Sequence, residues 1–333
     1  MALKPPVEVP QGAIRLNTDS QKLEFFAQDQ WWEMATDVPT LNGGVRGVLG
    51  GGNTTGYNVI QYVTLSTAGN AADFGDLTTN TYLSSCSSSR TRGCWNGGYS
   101  PSSYINTIQY VTIASTGNAA DFGDLTQVAG YSGSCSSATR GVRAGGTAPA
   151  NPSTDTIDYY TIAQTGNAVD FGNLTSGTAY NSDGTVNSPT RGMWIAGGPG
   201  ASNTIDYITI ATTGNASDFG DASLARTDAC GVCSSVRGIW GGGYNSGEKS
   251  TIDYITIASL GNAQDFGDMT VTARRYAACS APTRGIWAGG HTPSATDVID
   301  YVTIQTVGNA VDFGNLLAAN SEVAGLSNGH GGL

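Results

Sequence analysis

One phrase returns six times along this chain and constrains its fold more than any other feature. It reads GNAADFG from Gly69 and from Gly117, GNAVDFG from Gly166, GNASDFG from Gly214, GNAQDFG from Gly261 and GNAVDFG from Gly308. Its aspartates, Asp73, Asp121, Asp170, Asp218, Asp265 and Asp312, are separated by 48, 49, 48, 47 and 47 residues. An Arg-Gly pair keeps the same beat at Arg46, Arg92, Arg140, Arg191, Arg237 and Arg284, and a Gly-Gly pair follows each. A third phrase is an alternating run typified by TIDYITI from Thr204. Three phrases recurring in fixed order mean a chain built from one supersecondary unit, each copy burying its apolar face against its neighbours.

Each unit parses into four strands. In the unit ending near Met269, the first lies around Ala229 to Ser234 and the second is RGIWGGG from Arg237. The third, TIDYITI from Thr251, alternates β-branched and aromatic residues with polar ones, the period of a pleated sheet, and the fourth runs around Ala263 to Met269. Four short antiparallel strands in a repeat of about 45 residues describe a propeller blade. The expectation is therefore an all-β, six-bladed propeller over residues 41–333, preceded by a separate segment, residues 1–40. The chain enters the repeat at LNGGVRGVLGGG, already a second strand, and SEVAGLSNGH from Ser321 looks like a first strand without its second. Pairing the two would close the ring and remove two open sheet edges.

Composition agrees. With 47 glycines and only 12% charged residues, the chain suits many strands and turns, and no long run carries apolar residues at helical spacing. No apolar stretch is long enough to span a membrane as a helix, and MALKPPVEVP lacks the basic head and apolar core of a secretory signal. A net charge of −11 repels phosphates, so no nucleic-acid partner is expected. Two histidines, His291 and His330, leave little for a metal site, and nothing calls for a cofactor. Cys86, Cys135, Cys233 and Cys279 fall in first strands as small buried thiols, and the lone Cys230-x-x-Cys233 has no second pair to complete a zinc site. Few carboxylates, such as Asp183, Asp228 and Glu248, stand outside the repeat, so no enzymatic activity is expected.

The Gly-Gly doublets at 51–52, 97–98, 145–146, 197–198, 242–243 and 289–290, followed by Tyr62, Tyr110, Tyr159, Tyr207, Tyr254 and Tyr301, resemble kelch repeats. The departure lies in the fourth strand, where kelch usually has Trp and this chain has the Phe of the DFG phrase. The repeats look like the kelch-like repeats of bacteriophage structural and tail-fibre proteins. PQGAIRLNTDSQKLEFFAQDQWWEM is similar to segments of phage tail fibres and reads as a β-hairpin followed by a Trp pair. Its Phe25, Phe26, Trp31 and Trp32 are too apolar for a free tail and are expected to dock on other virion proteins. The resemblance implies a virion location. Phage fibres are often trimers, and the apolar segment would allow a homotrimer.

A residue present in every unit serves folding, and each repeat aspartate is expected to bond backbone amides or to pair with a repeat arginine in a buried ion pair. Binding belongs on what varies. The turns between second and third strands, and the connections between units, lie on one face and differ in length and content, whereas the opposite turns are nearly constant. The varying set carries Tyr57, Tyr99, Tyr104, Tyr180, Tyr244 and His291 among Ser, Thr and Asn. Aromatic plates with neutral hydrogen-bonding groups suit a carbohydrate or protein surface. The expected function is attachment of a tail fibre or appendage to a host-surface receptor, plausibly glycan. The alternatives are a purely structural virion protein touching its neighbours through the same face, and loops that are merely tolerant surface.

Overall fold

The computed structural model describes residues 9–17, 22–33, 45–53, 58–178, 184–195, 197–198 and 200–333. These residues form 27 strands and no helix, so the all-β expectation holds. The chain divides into two units, Met1–Gly44 and Val45–Leu333.

The first unit is a three-stranded antiparallel meander of β1 (Ile14–Asn17), β2 (Lys22–Ala27) and β3 (Gln30–Glu33). The expected hairpin thus gains a third strand. Gln28 and Asp29 turn the chain with φ of 51° and 59°, the two-residue geometry that matches strand twist, although neither is glycine. Register places Phe25 opposite Trp32 and Phe26 opposite Trp31. Strand alternation then sends the two pairs to opposite faces, so the four aromatics are not one cluster. Phe26 meets Trp31 edge-on at 5.3 Å, and Arg15 lies 4.1 Å above Trp31 while pairing with Glu24 at 2.8 Å. The other face leaves Ile14, Leu16, Phe25 and Trp32 exposed.

The second unit consists of six four-stranded antiparallel sheets. The first contains β4 (Arg46–Gly50), β5 (Val59–Thr64) and β6 (Ala72–Asp76). The second contains β7 (Ser85–Ser88), β8 (Arg92–Ser100), β9 (Ser103–Thr112) and β10 (Ala120–Asp124). The third contains β11 (Gly133–Ser136), β12 (Arg140–Ala144), β13 (Thr154–Thr161) and β14 (Val169–Thr178). The fourth contains β15 (Thr185–Asn187), β16 (Arg191–Ile195), β17 (Ser202–Thr209) and β18 (Ser217–Arg226). The fifth contains β19 (Cys230–Cys233), β20 (Arg237–Gly241), β21 (Lys249–Thr256) and β22 (Gln264–Ala273). The sixth contains β23 (Ala277–Ser280), β24 (Arg284–Ala288), β25 (Thr296–Thr303) and β26 (Val311–Asn320). Finally β27 (Ala324–Ser327) returns to pair with β4, completing the first sheet. The leading strands touch in a closed cycle, β27 to β7, β11, β15, β19, β23 and back to β27.

The core sits between neighbouring sheets. Ile60 and Phe74 of the first sheet pack on Trp95 and Val111 of the second, and three further seams repeat this arrangement with their own tryptophan, while Leu49 with Val63, and Tyr160, fill the other two. Burial of each such side chain contributes about 1.5–3 kcal/mol. Trp95, Trp194, Trp240 and Trp287 occupy one position of the second strand and are fully buried. Leu49 and Arg143 hold that position in the other two sheets. Arg143 is tolerated there because Asp158, its cross-strand partner, lies 3.3 Å away.

Three polar contacts, each repeated around the cycle, explain the recurring phrases. The Gly-Asn-Ala of one sheet docks on the Phe-Gly-Asp edge of the preceding sheet: Gly261 N–H donates to Phe219 O at 3.0 Å and Ala263 N–H to Asp221 O at 2.7 Å. Asn262 Oδ1 accepts from Asp221 N–H at 3.1 Å. Equivalent bonds end with Gly69 and Asn70 of the first sheet on Phe313 and Asn315 of the last. Outer-edge backbone groups are thereby partly covered.

The second contact corrects the expected Asp–Arg pair. Arg237 Nη1 donates to Ile304 O of the next sheet at 3.0 Å, with its guanidinium 4.5 Å over Tyr254. The other repeat arginines do the same, ending with Arg284 on Leu65. The repeat aspartates are exposed on the outer strand, and at Asp218 the backbone-amide alternative is the one seen, Oδ1 accepting from Gly220 N–H at 3.2 Å. Third, the buried acid or amide before each repeat tyrosine (Gln61, Gln109, Asp158, Asp206, Asp253, Asp300) accepts from a residue just after the neighbouring sheet's DFG phrase. Thr175 N–H and Oγ1–H bond Asp206 at 2.9 and 2.7 Å, for example. Asp158 and Asp253 also hold the buried Arg143 and Arg226.

Candidate functional site

The leading strands enclose a narrow channel lined by small side chains, including Cys86, Ser88, Cys135, Ser136, Cys233, Cys279 and Ser280, with about 50 Å³ of space left inside. All six cysteines are buried thiols. Burial pushes the Cys94 thiol up to about 12 and moves Cys135, Cys233 and Cys279 upward as well, which keeps them protonated and poor nucleophiles. At the end near the constant turns, the channel is crossed by the residues after β27. His330 Nε2–H donates to Ser88 O at 3.1 Å, and Nδ1 accepts from Gly332 N–H at 3.1 Å. Burial holds His330 down to about 4, against the favourable bond to Ser88 O, so it is neutral in this seat.

The opposite mouth is built differently. Two residues before the leading strand, Leu83, Tyr131, Asp228, Arg275 and Glu322 all take a left-handed backbone, with φ of 60°, 57°, 55°, 59° and 60°. The corresponding Asp183 lies outside the described residues. These residues are joined head to tail: Tyr131 N–H donates to Leu83 O at 3.0 Å, Arg275 N–H to Asp228 O at 3.1 Å and Glu322 N–H to Arg275 O at 3.1 Å. Non-glycine residues in this region cost about 1 kcal/mol or more each, and such strain collects at functional sites. The belt places Arg275 between two carboxylates: Asp228 lies 3.3 Å from its Nε, and Glu322 accepts from its Nη1. The guanidinium also lies 5.1 Å from the ring centre of Tyr131, which belongs to the sheet facing it across the channel. Burial opposes the Arg275 charge, but Asp228, with Tyr131 and Glu322, outweighs it and moves the group up.

Around this belt stand the residues that follow each Gly-Gly doublet. Three expected site residues share that position: Tyr99, Tyr244 and His291, with Asn53 and Thr147 as their equivalents. Tyr99, Tyr244 and His291 are each clamped by two backbone hydrogen bonds to Tyr82, Thr227 and Arg274, the residues just before the belt. The glycines of the doublets at 51–52, 97–98, 145–146, 242–243 and 289–290 have positive φ, and a Cβ on Gly243 would lie 2.7 Å from Thr227 O, so the close approach there requires glycine. Tyr104, at the tip of the long β8–β9 hairpin, meets Tyr99 edge-on at 4.9 Å, and Tyr82 lies 5.4 Å from Tyr99. Tyr57 and Tyr180 lie outside the described residues.

Tyr99 and Tyr104 are thus brought together, whereas Tyr244 borders a second area and His291 joins neither, being held to Arg274. There a cavity of about 390 Å³ opens between Tyr244, Asn245, Ser246, Thr227, Asp228, Arg274, Arg275 and the small residues Gly198, Gly200 and Ala201. Arg274 stacks 4.4 Å over Tyr244 and lies 3.8 Å from Glu248. The sequence reading missed Arg274, Arg275 and Glu322. The available signal was positional: the site two residues before each leading strand varies among Leu, Tyr, Asp, Arg and Glu beside strands of small residues.

Among the described residues no cluster of His, Cys, Asp and Glu has the arrangement to hold a metal ion. Among the described residues no helix is long and apolar enough to cross a membrane. No protein-family model matches the chain, and no curated protein matches it.

Proposed function

We propose that this chain is a six-bladed β-propeller of kelch-like type acting as a recognition module on a bacteriophage particle, a tail fibre or appendage that binds a host-surface receptor, with glycan as the receptor chemistry. The observation that carries the reading is the contrast between the two ends of the channel. One end is framed by near-identical turns. The other presents different side chains at one repeated, backbone-clamped position: Asn53, Tyr99, Thr147, Tyr244 and His291. A scaffold that repeats everything except the residues around one mouth is a scaffold for presenting that mouth. The virion assignment rests on the resemblance of the repeats and of residues 10–34 to phage fibre segments. The exposed Ile14, Leu16, Phe25 and Trp32 face suits anchoring to other virion proteins.

Binding is favoured over catalysis because the mouth carboxylates Asp228 and Glu322 are engaged by Arg275. The same apolar N-terminal face also fits the second reading, a structural virion protein whose variable face contacts neighbouring subunits. The test is retention of the purified chain on immobilised bacterial surface polysaccharides, beside a double variant Tyr99→Ser, Tyr104→Ser. Retention that falls in the variant supports receptor binding. Retention of neither, with failure of particles carrying the variant to assemble, supports the structural role.

A further inference from the structure

The cavity beside Tyr244 has a definite chemical character. Building on the reading of this mouth as a glycan-binding face, we infer that the cavity is a subsite for one neutral pyranose ring, stacked on Tyr244 and hydrogen-bonded by Arg274 and Asp228. At about 390 Å³ it falls at the small end of the range of small-ligand pockets, roughly 300–1,000 Å³. Gly198, Gly200 and Ala201 contribute small residues to one wall. Tyr244 is 36% exposed, so an aromatic surface remains open to a ligand. Its backbone is held to Thr227 by bonds of 2.8 and 3.0 Å and its ring by Arg274, so the plate is rigid before any ligand arrives. Preorganisation of that kind lowers the cost of binding.

Charge selects the class. Arg274 and Arg275 are set against Asp228, Glu248 and Glu322, two cations against three carboxylates, all within 4.0 Å of a partner. The group therefore has no cation to spare for an acidic sugar and carries one net negative charge against it. Nor is it strongly enough negative to demand a cation, because Asp228 and Glu322 are already committed to Arg275. Planar ion-paired groups instead offer N–H donors beside carboxylate acceptors. Vicinal hydroxyls donate and accept at once and match that array, while the ring's C–H face covers the tyrosine.

The experiment titrates the wild-type chain, Tyr244→Ala and Tyr244→Phe with neutral, uronic-acid-containing and amino-sugar oligosaccharides from a retained polysaccharide, at low and high salt. Circular dichroism of each variant confirms folding. The expected result is binding of the neutral oligosaccharide with little dependence on salt, about tenfold weaker in Tyr244→Ala and near wild type in Tyr244→Phe. Preference for the acidic or amino sugar, weakened by salt, overturns the assignment of class. Neutral-sugar binding that Tyr244→Ala leaves unchanged but Tyr99→Ser, Tyr104→Ser abolishes overturns this cavity while leaving the glycan reading intact. Absence of all saccharide binding by the wild-type chain overturns both.

Discussion

Two glycines of nearly identical backbone geometry should respond very differently to alanine. Gly220, in the DFG phrase of the fourth sheet, has φ of 143°, and Gly261, in the GNA phrase docked upon it, has φ of 149°. Either substitution places a Cβ in a region that costs about 1–3 kcal/mol for a non-glycine residue. Beyond that the sites diverge. A Cβ on Gly261 would meet nothing within 4 Å, whereas one on Gly220 would lie 2.6 Å from Gly261 O. Backbone cannot swing aside like a side-chain tip, so Gly220→Ala must push the GNA segment off its edge. The bonds at risk are Gly261 N–H to Phe219 O, Ala263 N–H to Asp221 O and Asp221 N–H to Asn262, at 3.0, 2.7 and 3.1 Å. At about 0.5–1.5 kcal/mol each, losing two of them adds roughly 1–3 kcal/mol. Urea unfolding followed by tryptophan fluorescence should therefore rank Gly220→Ala below Gly261→Ala by about 2 kcal/mol. Equal losses in the two variants would refute the docking of one sheet's GNA on its neighbour.

The remaining predictions follow from the other seams and from the channel. Arg237→Met removes a charged hydrogen bond to Ile304 O and the stacking on Tyr254, and should cost about 2–3 kcal/mol in the same assay, against about 0.5 kcal/mol for the exposed Asp265→Ala; equal costs would restore the Asp–Arg pair. Burial raises the Asp206 carboxyl, with only the Thr175 bonds opposing and no arginine beside it. Asp206→Asn should then be within about 1 kcal/mol of wild type at pH 7, like the natural amides at Gln61 and Gln109. Asp253→Asn, which strands the fully buried Arg226, should cost about 3–5 kcal/mol, and similar losses at the two sites would contradict the role given to that arginine. His330 titrates at about 4 when folded, below its unfolded value of 6.5, so the unfolded chain binds the extra proton between those limits. Its contribution is full above pH 6.5 and declines as pH falls to 4, by up to about 3 kcal/mol. The stability difference between wild type and His330→Gln should shrink over that window, and a constant difference would show that His330 is not seated neutral.

How far the chain could be read depended on whether a feature repeats. The Arg-Gly and Gly-Gly phrases mark second strands and the Ile-Asp-Tyr runs third strands because strand alternation and tight turns are local, and β8, β12, β16, β20 and β24 begin at those arginines. What the arginines contact was not legible. Periodicity shows that every unit needs Arg237, but its acceptor, Ile304 O, lies 67 residues away in the next sheet. The Asp-Phe-Gly phrase misled for the same reason: its aspartate is conspicuous, yet the glycine is what the neighbouring backbone requires. The third N-terminal strand was hidden because Gln28-Asp29 adopts a positive-φ turn without a glycine to announce it. The belt at the mouth escaped notice likewise, since Leu83, Tyr131, Asp228, Arg275 and Glu322 share a backbone conformation but no chemistry. Arg143 is the plainest case: a charged residue at a tryptophan position is explained only by Asp158 across the strand pair.

Amide hydrogen exchange, measured with and without a polysaccharide that retains the chain, tests the proposed binding face most directly. Slowed exchange confined to the residues after the doublets, around Tyr99–Tyr104, Tyr244–Glu248 and His291–Ala295, is the predicted result. Protection instead at the constant turns, around Ser115–Asn118 and its equivalents, would contradict the account.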